Sequence, residues 1–386
     1  MATGFPTKAN WAAGDVLTAS ALDDLAGTVN LLSNASAASG SQLISNAAGT
    51  SFAYQATPSA SNPVLNSAMA VIQRGASISL AASTAATYTL DRWQTQTGAN
   101  QATTVARQAT GDTTNLPNIQ YALRFQRNSG QTGTSTYNLA QSFESINSVP
   151  FAGKTITYSF YARAGANYSA TSSALTAIVV TGTGSDQNVV TGFTGAAYPI
   201  SQAATLTTTW QRFSYTGTVA ATATQLGLLF QFVPTGTAGT NDYYEVTGIQ
   251  IDIGSVALPF RTYALTIQGE LAACQRYYQR WTTSSGSLYC NLATGVSEGS
   301  ANPDIYIYPP VAMRVTPTAV DFSTLRYNIA AGASQAVNAL SISSQCTPNF
   351  IHLSGTAAGS IGSIGQMLTI QGNNSSSAYF GVSAEL

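Results

Sequence analysis

The chain has 386 residues, more than the roughly 250–300 at which one hydrophobic core stops growing, so two or three domains are expected. Only 8% is charged, 14 basic against 15 acidic residues, where an ordinary domain carries about 25%. That excludes a phosphate-neutralising nucleic-acid surface and a polybasic membrane patch, while 44% hydrophobic and 10% aromatic content excludes wholesale disorder.

Residues 1–32 form the first unit. Trp11 to Ser20 reads as a short extended segment and turn, with Thr18 or Ser20 able to cap a following helix. Asp23 and Asp24 then fall in its first turn, at the positive end of the helix dipole. Leu22, Leu25, Val29 and Leu32 are spaced 3, 4 and 3, the seam of a short coiled coil or the apolar face of an ordinary amphipathic helix. The stripe is too short to be stable alone. Residues 33–62 are rich in Ser, Ala, Asn and Gly and read as a linker or stalk.

From 63 to 263 the pattern alternates with period two. Ile119–Gln126, Ile156–Phe160 and Ile249–Ile253 each put apolar groups on one face, and Leu226–Phe232 is a more buried case. Glycine-rich loops such as Gly130–Gly133 and Gly236–Gly239 separate them. No helix-length crossover intervenes, so the fold class expected is mainly β, an antiparallel sandwich. Residues 264–386 read as a smaller C-terminal β domain. A short helix over Glu270–Trp281 opens it, with Leu271, Cys274, Tyr278 and Trp281 on one face. Strands are expected at Ile305–Tyr308, Val311–Val315, Ala339–Ser343, Met367–Ile370 and Ala378–Val382.

Motifs for catalysis are sparse. Cys274, Cys290 and Cys346 are odd in number and widely spaced, which predicts free thiols. The single histidine, His352, sits in an alternating stretch with no acidic or cysteine neighbour in sequence and reads as a plain strand residue. Gly153-Lys154-Thr155 lacks the earlier glycine of a phosphate loop, because position 148 is Ser, and a strand follows instead of a helix. Asp242 and Glu245 are the one recognisable acidic cluster. Glycosidases use two such carboxylates, but Asp242 reads better as a turn cap or the ligand of a structural cation. No cofactor is expected, and a structural calcium is left open. No stretch is apolar for long enough to span a membrane as a helix, and no secretory signal is expected from the first residues.

Aromatic residues are abundant, with 19 Tyr, 14 Phe and 4 Trp. Sugar rings present apolar C–H faces that stack on such side chains, while amides and carboxylates bind hydroxyls. Tyr137, Tyr168, Phe193 and Tyr198 lie in polar, Gly/Asn/Ser-rich surroundings and are the candidates for carbohydrate binding. Each could equally be packing. Trp93 and Trp210 lie in strand contexts and are expected inside.

Several segments resemble known phage virion proteins. Residues 71–94, with Gln73-Arg74-Gly75 and Asp91-Arg92-Trp93, look like the opening of a carbohydrate-binding-module-like jelly roll seen in phage fibres, and Ala152–Arg163 resembles its central strand. Trp210–Phe213 and Gly248–Gly254 are similar to two later strands. Pro259–Tyr263, Cys274-Gln275-Arg276-Tyr277-Tyr278 and the end segment Tyr379–Leu386 resemble tailed-phage fibre proteins, notably those of cyanobacterial phages. Ala13–Ser20 resembles a virion-attachment segment, although Asp23 stands where Asn often occurs. The resemblance implies a phage virion protein on the particle surface, and with the sparse catalytic motifs a non-enzymatic tail fibre is expected. It would be held to other virion proteins through Trp11, Asp15, Leu17, Leu22, Leu25, Val29 and Leu32, assembled as a homotrimer, and would bind host surface polysaccharide, with no nucleic acid and no membrane insertion. A structural fibre or decoration protein of head, neck or tail, and a glycan-degrading tailspike, are the alternatives.

Overall fold

The computed structural model describes residues 62–386 apart from 83–84, 99–101, 117, 285 and 330–333, together with the backbone of strands 41–45 and 52–56. The expected short N-terminal helix and its attachment residues Trp11, Asp15, Leu17, Leu22, Leu25, Val29 and Leu32 lie outside the described residues. Within the stretch read as a stalk, β1 (Ser41–Ser45) and β2 (Phe52–Ala56) pair antiparallel.

Twelve strands follow: β3 (Ser77–Leu80), β4 (Ala86–Tyr88), β5 (Gln94–Gln96), β6 (Thr103–Ala109), β7 (Tyr121–Arg127), β8 (Tyr137–Ser142), β9 (Thr155–Ala164), β10 (Ala174–Gly182), β11 (Ala197–Thr205), β12 (Gln211–Thr218), β13 (Gln225–Phe232) and β14 (Tyr243–Ile253). A single helical turn, α1 (Ser145–Ser148), lies between β8 and β9. The strands form two six-stranded antiparallel sheets, β12-β9-β14-β7-β6-β3 and β11-β10-β13-β8-β5-β4. This is the sandwich that the period-two pattern predicts. Its core is strongly aromatic: Phe125 stacks on Tyr244 at 5.4 Å, and Phe160 meets Phe230 edge-on at 4.8 Å. Each such pair contributes about 0.5–1.5 kcal/mol beyond area burial.

A bulge makes the central strand β14 work. Its register against β9 slips between Thr247 and Gln250, where Gly248 adopts φ +58°. The extra residue lets Tyr244 and Val246 before it, and Ile249 and Ile251 after it, all reach the core. Without it, one pair would face out. A side chain at Gly248 would also meet Ile119 and Tyr161 at 2.8 Å.

The remaining residues build a second β unit. Helix α2 (Ile267–Gln275) is capped by Thr266, whose hydroxyl accepts from the Gly269 amide at 3.2 Å. Strands β15 (Tyr278–Thr282), β16 (Asn291–Ser297), β17 (Pro303–Ile307), β18 (Ala319–Ser323), β19 (Leu325–Ile329), β20 (Ser334–Ile342), β21 (Ile351–Ala357), β22 (Met367–Gly372) and β23 (Tyr379–Ser383) follow. Six of them close a barrel, β16-β17-β21-β20-β19-β22, beside a three-stranded sheet, β15-β23-β18. The structure departs from the sequence pattern at two places in this unit. The helix ends at Gln275, and Tyr278 and Trp281 belong to β15, because pairing with β23 lets Trp281 stack on Phe380 at 5.1 Å. The 3-4-3 spacing over so few residues did not distinguish the two periods. Val311–Val315 is not a strand: Pro309, Pro310 and Pro317 flank it and cannot donate to a ladder. Arg314 instead reaches the carbonyls of Ala384 and Glu385.

The two units are joined by a buried polar seam. Arg92, 2% exposed, pairs with Glu385 and lies over the Tyr277 ring at 3.5 Å. Arg74 pairs with the same carboxylate at 3.3 Å and covers Tyr278 at 3.6 Å. The Leu386 carbonyl accepts from Tyr88 and Asn188 of the sandwich. Three segments that resemble phage-fibre sequences, around Arg74 and Arg92, Tyr277 and Tyr278, and Glu385, therefore meet in one place.

Candidate functional site

The outer side of the first sheet carries a cluster of polar and aromatic groups. Register places Glu245 of β14 opposite Arg124 of β7 and Arg163 of β9. Glu245 is fully buried and both its oxygens are engaged: Arg124 donates to Oε1 from Nε at 2.8 Å and lies within 2.6 Å through Nη2, and Arg163 Nε donates to Oε2 at 2.5 Å. The arginine side chains stay about a quarter exposed, at 25% and 24%. Each also covers a ring, Arg124 over Tyr243 at 4.0 Å and Arg163 over Trp210 at 4.8 Å. A shared carboxylate and a ring beneath hold each guanidinium still. A guanidinium so held offers its remaining N–H groups in the planar geometry that suits hydroxyl pairs and carboxylates.

The loop at 111–115 borders this face. Asp112 accepts from the amides of Thr114 and Asn115 and from the Asn115 side chain, which hold its carboxyl below the usual value, with Arg163 adding a smaller pull. Beneath the adjoining loop, Leu116, Ile119, Ala122 and Trp210 form a small apolar cluster. Trp210 is thus buried, as is Trp93 in the core region, in agreement with expectation.

One end of the sandwich is tied by Arg127. It is fully buried and donates to Asp242 Oδ2 at 2.8 Å, to Ser169 Oγ, and to the carbonyls of Gln131, Gly133 and Gly236. Asp242 also accepts from the Ser169 amide and hydroxyl. The guanidinium therefore occupies the place a structural cation at Asp242 would take. Asp242 and Glu245, close in sequence, serve different arginines. Among the described residues no group of three His, Cys, Asp or Glu side chains gathers to hold a metal ion, and no helix is long and apolar enough to cross a membrane.

A cavity of about 490 Å³ opens where the units meet, lined by Pro63, Leu65, Phe143, Phe151, Tyr263 and Arg276 among others. Its polar wall is Glu144, which accepts from Arg276 Nε and Nη2 at 2.9 Å and from the Tyr277 hydroxyl. Burial pushes the Glu144 carboxyl up, but these bonds outweigh it and hold the group below its ordinary value.

No family model and no curated protein matches this sequence. Solved structures show partial likeness. A structure titled "CBM4 structure and function" is 18% identical and aligns over 34% of this chain and 71% of its own, with a TM-score of 0.25. The CBM22-1 xylan-binding domain from Paenibacillus barcinonensis Xyn10C is 15% identical over 46% of this chain and 100% of its own, with a TM-score of 0.29. The enzymatically active domain of bacteriophage CBA120 tailspike protein 4 is 13% identical over 42% of this chain and 19% of its own, also at 0.29. At such scores these likenesses carry no argument about what this chain does.

The four residues expected from sequence to bind carbohydrate do not converge on one surface. Tyr137 is fully buried in the core, between Phe125 and Phe232. Tyr168 stacks on the same Phe232 at 4.6 Å and donates its hydroxyl to the Ala174 carbonyl, and burial pushes its phenol well up. Phe193 is 7% exposed in a cluster with Ile178, Val180 and Val189 on the outer side of the second sheet. Tyr198 alone is open, 61% exposed on the edge strand β11. A ring with no free face offers nothing for a sugar to stack on. The arginines of the first sheet, absent from that expectation, had a signal in the sequence: of the basic residues only Lys8 and Lys154 are lysines. Arginine in that excess suits stacking and bidentate pairing, which lysine does not supply.

Proposed function

We propose that this chain is a non-enzymatic phage fibre protein, attached to the particle through residues 1–32 and binding host surface glycan through its β domains. The observation that carries the glycan part is the pair Arg124 and Arg163, held on buried Glu245 while about a quarter of each side chain stays exposed, at 25% and 24%. Preorganised donors lose little freedom on binding, and sugar hydroxyls are well met by such planar pairs. The sparse charge of the chain fits adhesion through hydroxyl and amide groups. Many weak contacts on a multivalent particle, with a trimer as the expected unit, would combine into firm attachment. The fibre part rests on the sequence resemblance.

A second reading, a structural fibre or decoration protein, has one observation in its favour. Arg74, Arg92, Tyr277, Tyr278 and Glu385, which carry much of the resemblance, lie in the seam between the units and serve cohesion. The tailspike reading is disfavoured by the commitment of Asp242 and Glu245 to separate arginines. The test is retention of the purified full chain on envelope polysaccharide of the host. Replacing Arg124 and Arg163 together with Ala is expected to weaken retention roughly tenfold or more. Absence of retention by the unaltered chain, with full infectivity of particles lacking the protein, would establish the structural reading instead.

A further inference from the structure

The barrel carries a row of rings that, among the described residues, no arginine covers. Tyr306 of β17 stands opposite His352 of β21, and Asp304 opposite Ser354, so these four side chains leave the same side of the barrel. Beyond them Tyr308 meets Phe350 at 5.3 Å, Phe350 meets Tyr306 at 6.0 Å with planes 14° apart, and Tyr306 meets His352 at 5.0 Å. The row runs from Tyr308, 80% exposed, to His352, 4% exposed. A single exposed tyrosine needs no explanation. Three contacting rings at the end of a strand pair, grading into a buried imidazole, are a different matter.

The buried end is incompletely satisfied. His352 Nε2 lies 3.0 Å from Asp304 Oδ2, without the alignment of a hydrogen bond, and Nδ1 has no partner. Buried polar atoms without partners are uncommon in folded proteins, and each calls for a reason. Here the imidazole and the Asp304 carboxylate, 18% exposed, supply a donor and acceptors at the end of an aromatic platform. Ser341 of β20 stands opposite Ser354 of β21, with the Ser341 hydroxyl donating to the Ser354 carbonyl at 3.1 Å. The local field is negative: burial raises the Tyr306 phenol, and the carboxylates of Asp304 and Glu298 raise it further. An acidic sugar would be repelled by those carboxylates. The ring-to-ring steps of 5.3 and 6.0 Å are on the scale of one residue in an extended sugar chain.

We infer that Tyr308, Phe350 and Tyr306, with Asp304 and His352 at the closed end, form a second binding site, which takes a neutral oligosaccharide by stacking and is separate from the arginine face of the sandwich. The stacking supplies affinity without charge, and the imidazole and carboxylate fix one end of the ligand by hydrogen bonds to its hydroxyls.

The test uses the full chain on an array of neutral and uronate-bearing hexasaccharides, with sedimentation run in parallel. The unaltered protein is expected to be retained on at least one neutral glycan. Tyr308→Ala, at a position too exposed to unfold the barrel, should reduce that retention about tenfold. Tyr308→Phe keeps the ring and should restore it, whereas the double replacement of Arg124 and Arg163 should leave it unchanged. If no neutral glycan is retained, or if only the double arginine variant loses retention, the inference fails. In the latter case the sandwich reading survives. A fall in sedimenting mass for Tyr308→Ala with glycan retention intact would overturn it too, and assign the row to contact between copies of the chain.

Discussion

On the first sheet of the sandwich, four rings each lie under a guanidinium: Tyr121 under Arg107, Tyr243 under Arg124, Trp210 under Arg163 and Tyr161 under Arg212. On the barrel, Phe350 touches both Tyr306 and Tyr308, and among the described residues no cation covers these rings. Both surfaces are aromatic, yet they offer opposite chemistry. Where an arginine sits on a ring, the ring is spent as a platform and what reaches solvent is a fixed hydrogen-bond donor. Where the rings are bare, what reaches solvent is an apolar face. Aromatic content alone therefore says little about a binding surface, and the cation partner decides which kind it is.

The largest expected effect tests whether the sandwich arginines are structural. Arg127→Ala leaves the fully buried Asp242 without its cation and frees the two loops that carry Gln131, Gly133 and Gly236, and should cost about 3–5 kcal/mol in urea unfolding of the full chain. A cost under about 1 kcal/mol would mean that this pair is not what holds the loops. Glu245→Gln comes next. It removes the carboxylate shared by Arg124 and Arg163, so a loss of about 1.5–3 kcal/mol is expected, with weakened retention at the sandwich and unchanged retention at the barrel. Equal loss at both surfaces would erase the distinction drawn between them.

Alkaline pH should act on the seam between the two regions. Burial pushes the Tyr88 phenol from 10.0 up to about 12, and burial raises Tyr277 and Tyr278 as well. The folded state holds these groups neutral, so their contribution is complete below pH 10.0 and declines as pH rises toward about 12. Thermal melts across that window should show falling stability, and a flat profile would remove the seam from the account. The smallest effect belongs to Tyr198→Ala. At 61% exposure on an edge strand it should change stability by no more than about 0.5 kcal/mol. Loss of glycan retention in that variant would point to a binding surface on the second sheet.

Much of the fold was legible in the amino-acid order. Leu226–Phe232 and Ile249–Ile253 read as strands and are strands, as are Ile156–Phe160 and Met367–Ile370. The candidate sites were less legible. Glu245 was noticed only as a neighbour of Asp242, because its arginines come from positions 124 and 163, which are 121 and 82 residues away. His352 had no acidic neighbour in sequence, yet Asp304 reaches it across a strand pair. Such groupings depend on register, which local pattern leaves open.

From the order of residues alone came the β class, the sandwich and the existence of a second β unit, because side chains alternate across a strand whatever the strand later packs against. What the tertiary structure decided is which of the two faces is covered. Tyr137 and Tyr308 both sit on or beside alternating strands, but the first lies under the opposing sheet and the second stands in solvent. Period two declares that a strand has two sides. Only the packing of whole sheets determines which side meets water, and hence which aromatic residues remain free to bind.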